Sequence, residues 1–400
     1  MPGIKRNKQI TLSGAGCCLV DQIYPDIDFS EPAVAKYMSL KKGDGGLYPG
    51  RLVFSEQFEG FANSDLQSIV NEISENRKEP TLNVGGPSIV ALIHASQLLQ
   101  GSSTDIRFYG VRGDDEAGQF LYSKLENTPV RIEQLRIAEG ATPSTTVLSD
   151  PNFNKGQGER IFINNIGASW HIGAADLGEE FFESDIVVFG GTALVPGLHD
   201  ALTDLLIRSK SEGCLTVVNT VYDFRNELKN PGKAWPLGHS NKSYKNIDLL
   251  IMDREEALHL SGVDELSEAT EYFIRQGVKS FMITNGTQPT HCYSDGTLFK
   301  SLTHNTFPVS SSLVNDLKGF QGGDTTGCGD NFVGGVLASL AWQLQRENVE
   351  LDLSECISWG TVSGGYCCFH VGGTFIEREP GEKLKLIKPY LDLYTEQMNG

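Results

Sequence analysis

Gly322-Gly323-Asp324-Thr325-Thr326-Gly327-Cys328-Gly329-Asp330, followed by Asn331-Phe332-Val333-Gly334-Gly335-Val336-Leu337-Ala338, is the most informative stretch of this sequence. A Gly-x-Gly turn runs here into an apolar, small-residue helix, whose first amides have no intrahelical acceptor. Those donors, aided by the positive end of the helix dipole, suit a phosphate or a developing anion. Gly327 and Gly329 lack Cβ atoms, so main chain can approach that anion closely. A carboxylate at Asp330 makes no sense as an anion ligand. It makes sense as a base that takes a proton from an attacking hydroxyl. Read alone, the segment is also open to a plainer account, with Asp330 as an N-cap and the glycines as a tight turn.

Outward from this stretch, the chain repeats one pattern: a short apolar run, a Gly/Asn/Asp turn, then an amphipathic stretch. That is the βα signature of a parallel sheet. Expected strands include Ile10–Leu12, Ile106–Gly110, Ile186–Phe189, Leu215–Asn219, Leu249–Met252 and Ser280–Thr284. Expected helices include Ser88–Leu99, Glu116–Leu125, His199–Ser211, Arg254–Leu260, Leu266–Arg275 and Asn331–Leu344. Three segments break the pattern. Lys41–Gly60 is Gly-rich and irregular, and Asn226–Lys245 is a Pro/Gly/Asn loop without periodicity. Ser144–Leu148 and Arg160–Asn164 alternate like a hairpin around the polar tip Asp150–Gly158 and could project as a flap. No repeat or interdomain linker interrupts residues 1–400, which read as a single α/β domain carrying a small β flap.

Acids outnumber bases by 51 to 33, for a formal charge of −18. Such a surface repels phosphate backbones and anionic lipid unless bases cluster, and short basic runs such as Lys5-Arg6 and Lys41-Lys42 do not amount to a dense cluster. Neither nucleic acid nor membrane is an expected partner, and no uninterrupted apolar run reaches the ~18 residues of a membrane span. The 8 cysteines include the adjacent pairs Cys17-Cys18 and Cys367-Cys368 but no Cys-x-x-Cys. They read as reduced thiols buried in a core. Met1–Gln9 is polar and lacks a signal-peptide apolar block, so the expectation is a cytoplasmic protein.

Asp-Thr-Thr-Gly-Cys-Gly-Asp resembles the C-terminal signature of the ribokinase-like (PfkB) sugar and nucleoside kinases, normally Asp-Thr-x-Gly-Ala-Gly-Asp. Three further matches stand in the family's order. Gly110-Val111-Arg112-Gly113-Asp114-Asp115-Glu116-Ala117-Gly118 resembles Gly-x-x-Gly-x-Asp-x-x-Gly, and reads as a structural turn. Asn83-Val84-Gly85-Gly86 resembles the substrate diglycine. Gly16-Cys17-Cys18-Leu19-Val20-Asp21 ends on an Asp just after the first strand. Their order and spacing hold from about residue 10 to residue 375. The resemblance implies a three-layer α/β/α fold, with a central mostly parallel sheet and a small β-sheet lid formed by segments near 20–60 and 138–168.

It also implies an ATP-dependent phosphotransferase acting on a hydroxyl of a sugar, most simply a primary alcohol. Asp330 would be the general base, and the amides around Gly327, Cys328 and Gly329 the anion hole for the transferring γ-phosphoryl. Asp21, Gly85 and Gly86 would hold substrate hydroxyls, since a carboxylate accepts two adjacent O–H donors. Asp253 and Glu256 fall where the family has Asn-x-x-Glu, and would organise Mg²⁺ through its water shell. Thr284 and Gly286 would line the nucleotide site. Gly365, beside Gly364, would flank the adenine, although small residues at a helix contact explain that pair equally well. A monovalent cation such as K⁺ is a further possible requirement of the family.

Several residues depart from the family pattern. Cys328 replaces Ala, and a thiol at a helix N-terminus is open to acidification and oxidation. Val90 stands where the diglycine motif carries Asn, Gln288-Pro289 where a nucleotide-site glycine is expected, and Val309–Gln321 is longer than usual. The long stretch after Asp21, including Lys36-Tyr37-Met38-Ser39-Leu40-Lys41-Lys42-Gly43-Asp44, resembles the adenosine-kinase-like branch. A nucleoside kinase is therefore the alternative, and a non-catalytic sugar or nucleoside sensor on the same scaffold a second one. Monomer and homodimer are both open. Gly14-Ala15-Gly16 lacks the third glycine of a dinucleotide fingerprint, and no Gly-x-x-x-x-Gly-Lys-Ser/Thr is present.

Overall fold

The computed structural model describes residues 9–41, 43–74, 79–156, 158–320, 322–346 and 349–399. The polar start of the chain with Lys5-Arg6, together with Lys42 and Gln321, lies outside these. Two sheets organise the described residues. Strands β1 (Ile10–Gly16), β2 (Leu19–Tyr24), β3 (Leu52–Phe54), β4 (Thr81–Gly85), β5 (Thr104–Arg112), β6 (Arg131–Ile137), β7 (Ser144–Asp150) and β8 (Glu159–Asn165) fill the first half. Strands β9 (Ile186–Gly190), β10 (Leu215–Asn219), β11 (Leu249–Asp253), β12 (Ser280–Asn285), β13 (Gln288–Ser294) and β14 (Leu302–Phe307) follow.

The larger sheet runs β14-β13-β12-β11-β10-β9-β1-β5-β6. It is parallel from β12 to β6 and antiparallel only at the β12–β13–β14 edge. Its central strands β9, β10 and β11 are buried on both faces, as a sheet covered twice requires. Ile186 and Val188 point to one core with Leu337, Ile357 and Ile387. Val187 and Phe189 point to the other with Leu202, Ala257 and Phe273. Helices cover both faces, giving the expected three-layer α/β/α arrangement.

The smaller sheet runs β3-β8-β7-β2-β4. β7 and β8 form the expected antiparallel hairpin, with Ser144 opposite Asn165 and Asp150 opposite Glu159. One face is closed by a separate core that includes Tyr37, Leu47, Phe58 and Ile69. Only Cys17-Cys18 separate β1 of the large sheet from β2 of the small one. The Gly-x-x-Gly-x-Asp segment is a turn, as expected: Asp115 caps helix Glu116–Leu125 through the Gly118 amide and accepts from the amide of Thr142, just ahead of β7.

Two segments expected to be irregular are partly ordered. Lys41–Gly60 contains β3, which pairs with β8, and the start of helix Ser55–Ala62. Asn226–Lys245 overlaps helix Phe224–Lys229, capped by Asp223, and a 3₁₀ segment Asn241–Asn246, capped by Ser240. Both are too short to show a hydrophobic period and are held by caps and pairing.

Candidate active site

The decisive helix begins earlier than its apolar pattern suggests, covering Cys328–Gln345 with Gly327 as N-cap at φ 74°. Asp330 is therefore the third helical residue and not the cap. It stands in the first turn, whose amides lack intrahelical acceptors; the Cys328 amide makes only a long contact to Thr325 O, at 3.4 Å. A Cβ built on Gly329 would meet nothing within 4 Å, so this turn faces open space. The preceding loop is fixed by Asp324, whose carboxylate accepts from the amides of Thr326 (2.7 Å) and Gly372 (3.3 Å). Asn331 Nδ2 ties Gly327 O and Gly373 O together.

The diglycine lies on the other side of the 371–374 segment. Asn83 Nδ2 donates to Val371 O, and Thr374 Oγ1 to Val84 O. β4 pairs with β2 so that Asn83 faces Asp21 and Gly85 faces Leu19. Gly86 (φ 105°) caps the buried helix Pro87–Leu98, which packs against the Asp330 helix: a Cβ on Gly334 would stand 2.7 Å from Ala91 O. The expected substrate and catalytic residues are thereby gathered at one place. Asp21 and Asp330 interact electrostatically, and both titrate far from the usual carboxylate range. Burial, then the charges of Asp330 and Asp324, push Asp21 up to about 8, with Arg160 opposing. Asp330 keeps part of its surface open, yet enclosure by the surrounding protein pushes it up to about 7.

Arg160, on β8 of the small sheet, was not singled out from the sequence as a site residue. Its guanidinium donates to Thr325 Oγ1 and Thr326 Oγ1, each at 2.5 Å. The small sheet thus touches directly the loop that leads into the Gly327–Asp330 turn. A basic residue on an alternating lid strand was the available signal, but only the fold reveals where it reaches.

Asp253 and Glu256 sit where β11 ends and its helix begins. They form a reciprocal cap, Glu256 N to Asp253 Oδ1 (2.7 Å) and Asp253 N to Glu256 Oε2 (2.9 Å), and Thr220 Oγ1 also donates to Glu256. Burial first, then Asp253, raise Glu256 to about 8, with a smaller push from Asp330. Thr284 is register partner to Asp253 across β11–β12. Gly286, at φ 56°, serves the tight β12–β13 turn. A Cβ on Gly365 would stand 2.8 Å from Leu313 Cδ1, so this glycine has a packing reason of its own. Among the described residues no group of three or more His, Cys, Asp or Glu is arranged to hold a metal ion. The two acids do present oxygen donors, which suits a hydrated Mg²⁺ completed by phosphate oxygens.

All eight cysteines are free thiols, six of them buried. Cys328 corrects the expectation of an acidified thiol: a hydrogen bond with Cys367, together with burial, pushes it up despite the helix N-terminus. Val90 is fully buried against Gly373, so an apolar side chain fits where an amide was expected. No helix among the described residues is long and apolar enough to cross a membrane.

Comparison with known proteins shows the family and the fold. Residues 60–379 match the family described as pfkB family carbohydrate kinase. A fructokinase from Vibrio alginolyticus is 24% identical over 288 residues, covering 70% of this chain and 83% of that protein. Fructokinase-2 of Oryza sativa subsp. japonica is 25% identical over 293 residues, covering 71% and 78%. Among solved structures, adenosine kinase from Schistosoma mansoni with 2-fluoroadenosine superposes with TM-score 0.69 at 16% identity, over 92% of this chain and 97% of that one. A ribokinase from Thermotoga maritima gives 0.61 at 15% identity, over 96% and 99%.

Proposed function

Because this chain belongs to the pfkB family of carbohydrate kinases, we propose that it moves the γ-phosphoryl group of ATP to a sugar hydroxyl, with Asp330 as general base. The observation that carries this reading is the pairing of Asp330 with buried Asp21 at the start of a helix whose first amides face open space. Asp21 and the Gly85-Gly86 backbone hold acceptor hydroxyls, orienting one of them toward Asp330. The carboxylate of Asp330 takes the proton as that oxygen attacks. The amides of residues 327–330 receive the equatorial oxygens of the migrating group, whose transition state is loose and depends on positioning and charge neutralisation. Arg160 adds a positive charge at the same loop. Thr284 and Gly286 line the nucleotide side, with Gly365 at its far wall. Mg²⁺ neutralises phosphate charge when bound, and Asp253 and Glu256 would hold its water shell.

The acceptor is proposed to be a ketose or pentose, in keeping with the fructokinase relatives. A nucleoside acceptor is the second reading, favoured by the long connection between β2 and β4, with its own core around Phe58 and Ile69. An ADP-release assay with fructose, ribose, adenosine, inosine and guanosine separates the two. Asp330→Asn should retain ATP binding while turnover falls by a factor of about 10²–10⁴. Near-normal turnover in that variant would remove Asp330 as the base.

A further inference from the structure

Cys328 Sγ lies 3.4 Å from Cys368 Sγ, and these are the two thiols outside the buried set. They join different elements. Cys328 is the first residue of the helix Cys328–Gln345, and Cys368 is the C-cap of Leu353–Cys367. Closer approach is constrained by the neighbourhood. Gly323 abuts Cys368 O, where a Cβ would stand 1.9 Å away, and Gly364 abuts Cys328 O. Cys367 is engaged otherwise as well, donating to Thr326 O at 3.3 Å and accepting from Asn331 Nδ2.

We propose that Cys328 and Cys368 are a site of oxidative cross-linking that reversibly disables the anion-binding turn. With a hydroperoxide as oxidant, one thiolate attacks the peroxide oxygen and forms a sulfenic acid and water. The second thiol then displaces hydroxide from that sulfur as a second water. Two thiols lose two electrons and two protons, and one hydrogen peroxide becomes two waters. A dithiol reductant reverses the step by exchange. Forming the bond draws the sulfurs together by more than an ångström from their present separation, toward the ~2.05 Å of a disulfide. Cys328 supplies one of the turn's amides, so the shift moves donors that the proposed phosphoryl transfer needs in place. The effect on turnover rests on that reading; the cross-link itself does not. A hydrogen bond with Cys367 and burial push Cys328 up although Cys368 opposes, and the hydrogen bond with Cys328 and burial push Cys368 up, so both thiols are mainly neutral, the reaction is slow and it needs oxidant in excess.

The test treats the full chain with excess hydrogen peroxide, alkylates the remaining thiols and maps peptides by mass spectrometry. The expected product is a Cys328–Cys368 peptide pair lighter by two hydrogens. Turnover should fall about a hundredfold, as for loss of an anion-hole donor, and dithiothreitol should restore it. Cys368→Ser should keep turnover after peroxide, whereas Cys214→Ser should remain sensitive. Should Cys368→Ser not fold, peptide mapping of the unaltered chain decides alone. Loss of turnover without this cross-link, or a cross-link through Cys367, overturns the proposal. If the cross-link forms and turnover persists, the switch fails. An unaltered chain that is inactive before oxidation indicts the kinase reading instead.

Discussion

Gly85 lies so close to Asp21 that a β-carbon added to it would stand 2.2 Å from Asp21 Oδ2 and 2.7 Å from Leu19 Cδ1. Both atoms are side-chain ends, so the carboxylate would swing aside before the backbone gave way. Gly85→Ala should therefore leave a folded protein with displaced acceptor contacts. The expected loss is about a hundredfold in kcat/KM for the acceptor, the scale of an ångström misplacement. The KM for ATP should stay near its starting value. A matched thermal unfolding scan distinguishes this from simple destabilisation.

The raised carboxyls impose a pH profile. A base held near 7 works only when deprotonated, so kcat/KM should climb as pH rises through about 7. Asp21 and Asp330 interact, so the inflections belong to the pair. The sign for stability is opposite. In the unfolded chain both acids ionise near 3.8, so their neutral forms favour the fold at low pH, and that contribution is lost as pH rises through 7 to 8. Asp21→Asn should gain on the parent by several kcal/mol, at most about 6, on going from pH 4 to pH 9. Denaturant midpoints that move in parallel across that range would contradict the burial assigned to Asp21.

Arg160 bridges two sheets through Thr325 and Thr326. Removing the guanidinium in Arg160→Ala should lower turnover by about 10²-fold or more, with little change in melting temperature. Lys should restore little, because a single ammonium cannot reproduce the two-pronged donation. Steady-state kinetics of both variants test this.

Lys383 is buried beneath the 371–375 segment, with its ammonium 5.4 Å from the Phe375 ring. Burial depresses it to about 7, with Cys367 and Glu377 opposing. A lowered lysine makes the folded state bind fewer protons than the unfolded chain between about 7 and 10.5, so stability rises with pH across that window. Lys383→Met should stabilise the protein by several kcal/mol, at most about 5, below pH 7, and the gain should fade toward pH 10.5. Urea melts at pH 6, 8 and 10 measure it.

Much of the fold was legible because buried parallel strands are written as unbroken apolar runs, as in Ile186–Phe189 and Leu249–Met252. The Gly327–Asp330 turn was legible because glycine, small residues and an isolated acid fall in a fixed order. Its helix boundary was misjudged by a turn, since Cys328-Gly329-Asp330 carries no hydrophobic period. Arg160 stayed hidden because its partners lie 165 and 166 residues away. The hydrogen bond joining Cys328 to Cys367 likewise depends on two helices meeting, and it reversed the sequence expectation for the thiol.

The two-residue step from β1 to β2 has a mechanical consequence. Asp21 rides on the small sheet, whereas Asp330 belongs to a helix packed on the large one. A tilt of one sheet against the other, pivoting at Cys17-Cys18, would part Asp21, the proposed acceptor-binding carboxylate, from Asp330, the proposed base, and withdraw Arg160 from its threonines in a single movement. The same geometry that aligns an acceptor would thus disarm the enzyme between turnovers, leaving water poorly placed to squander the nucleotide.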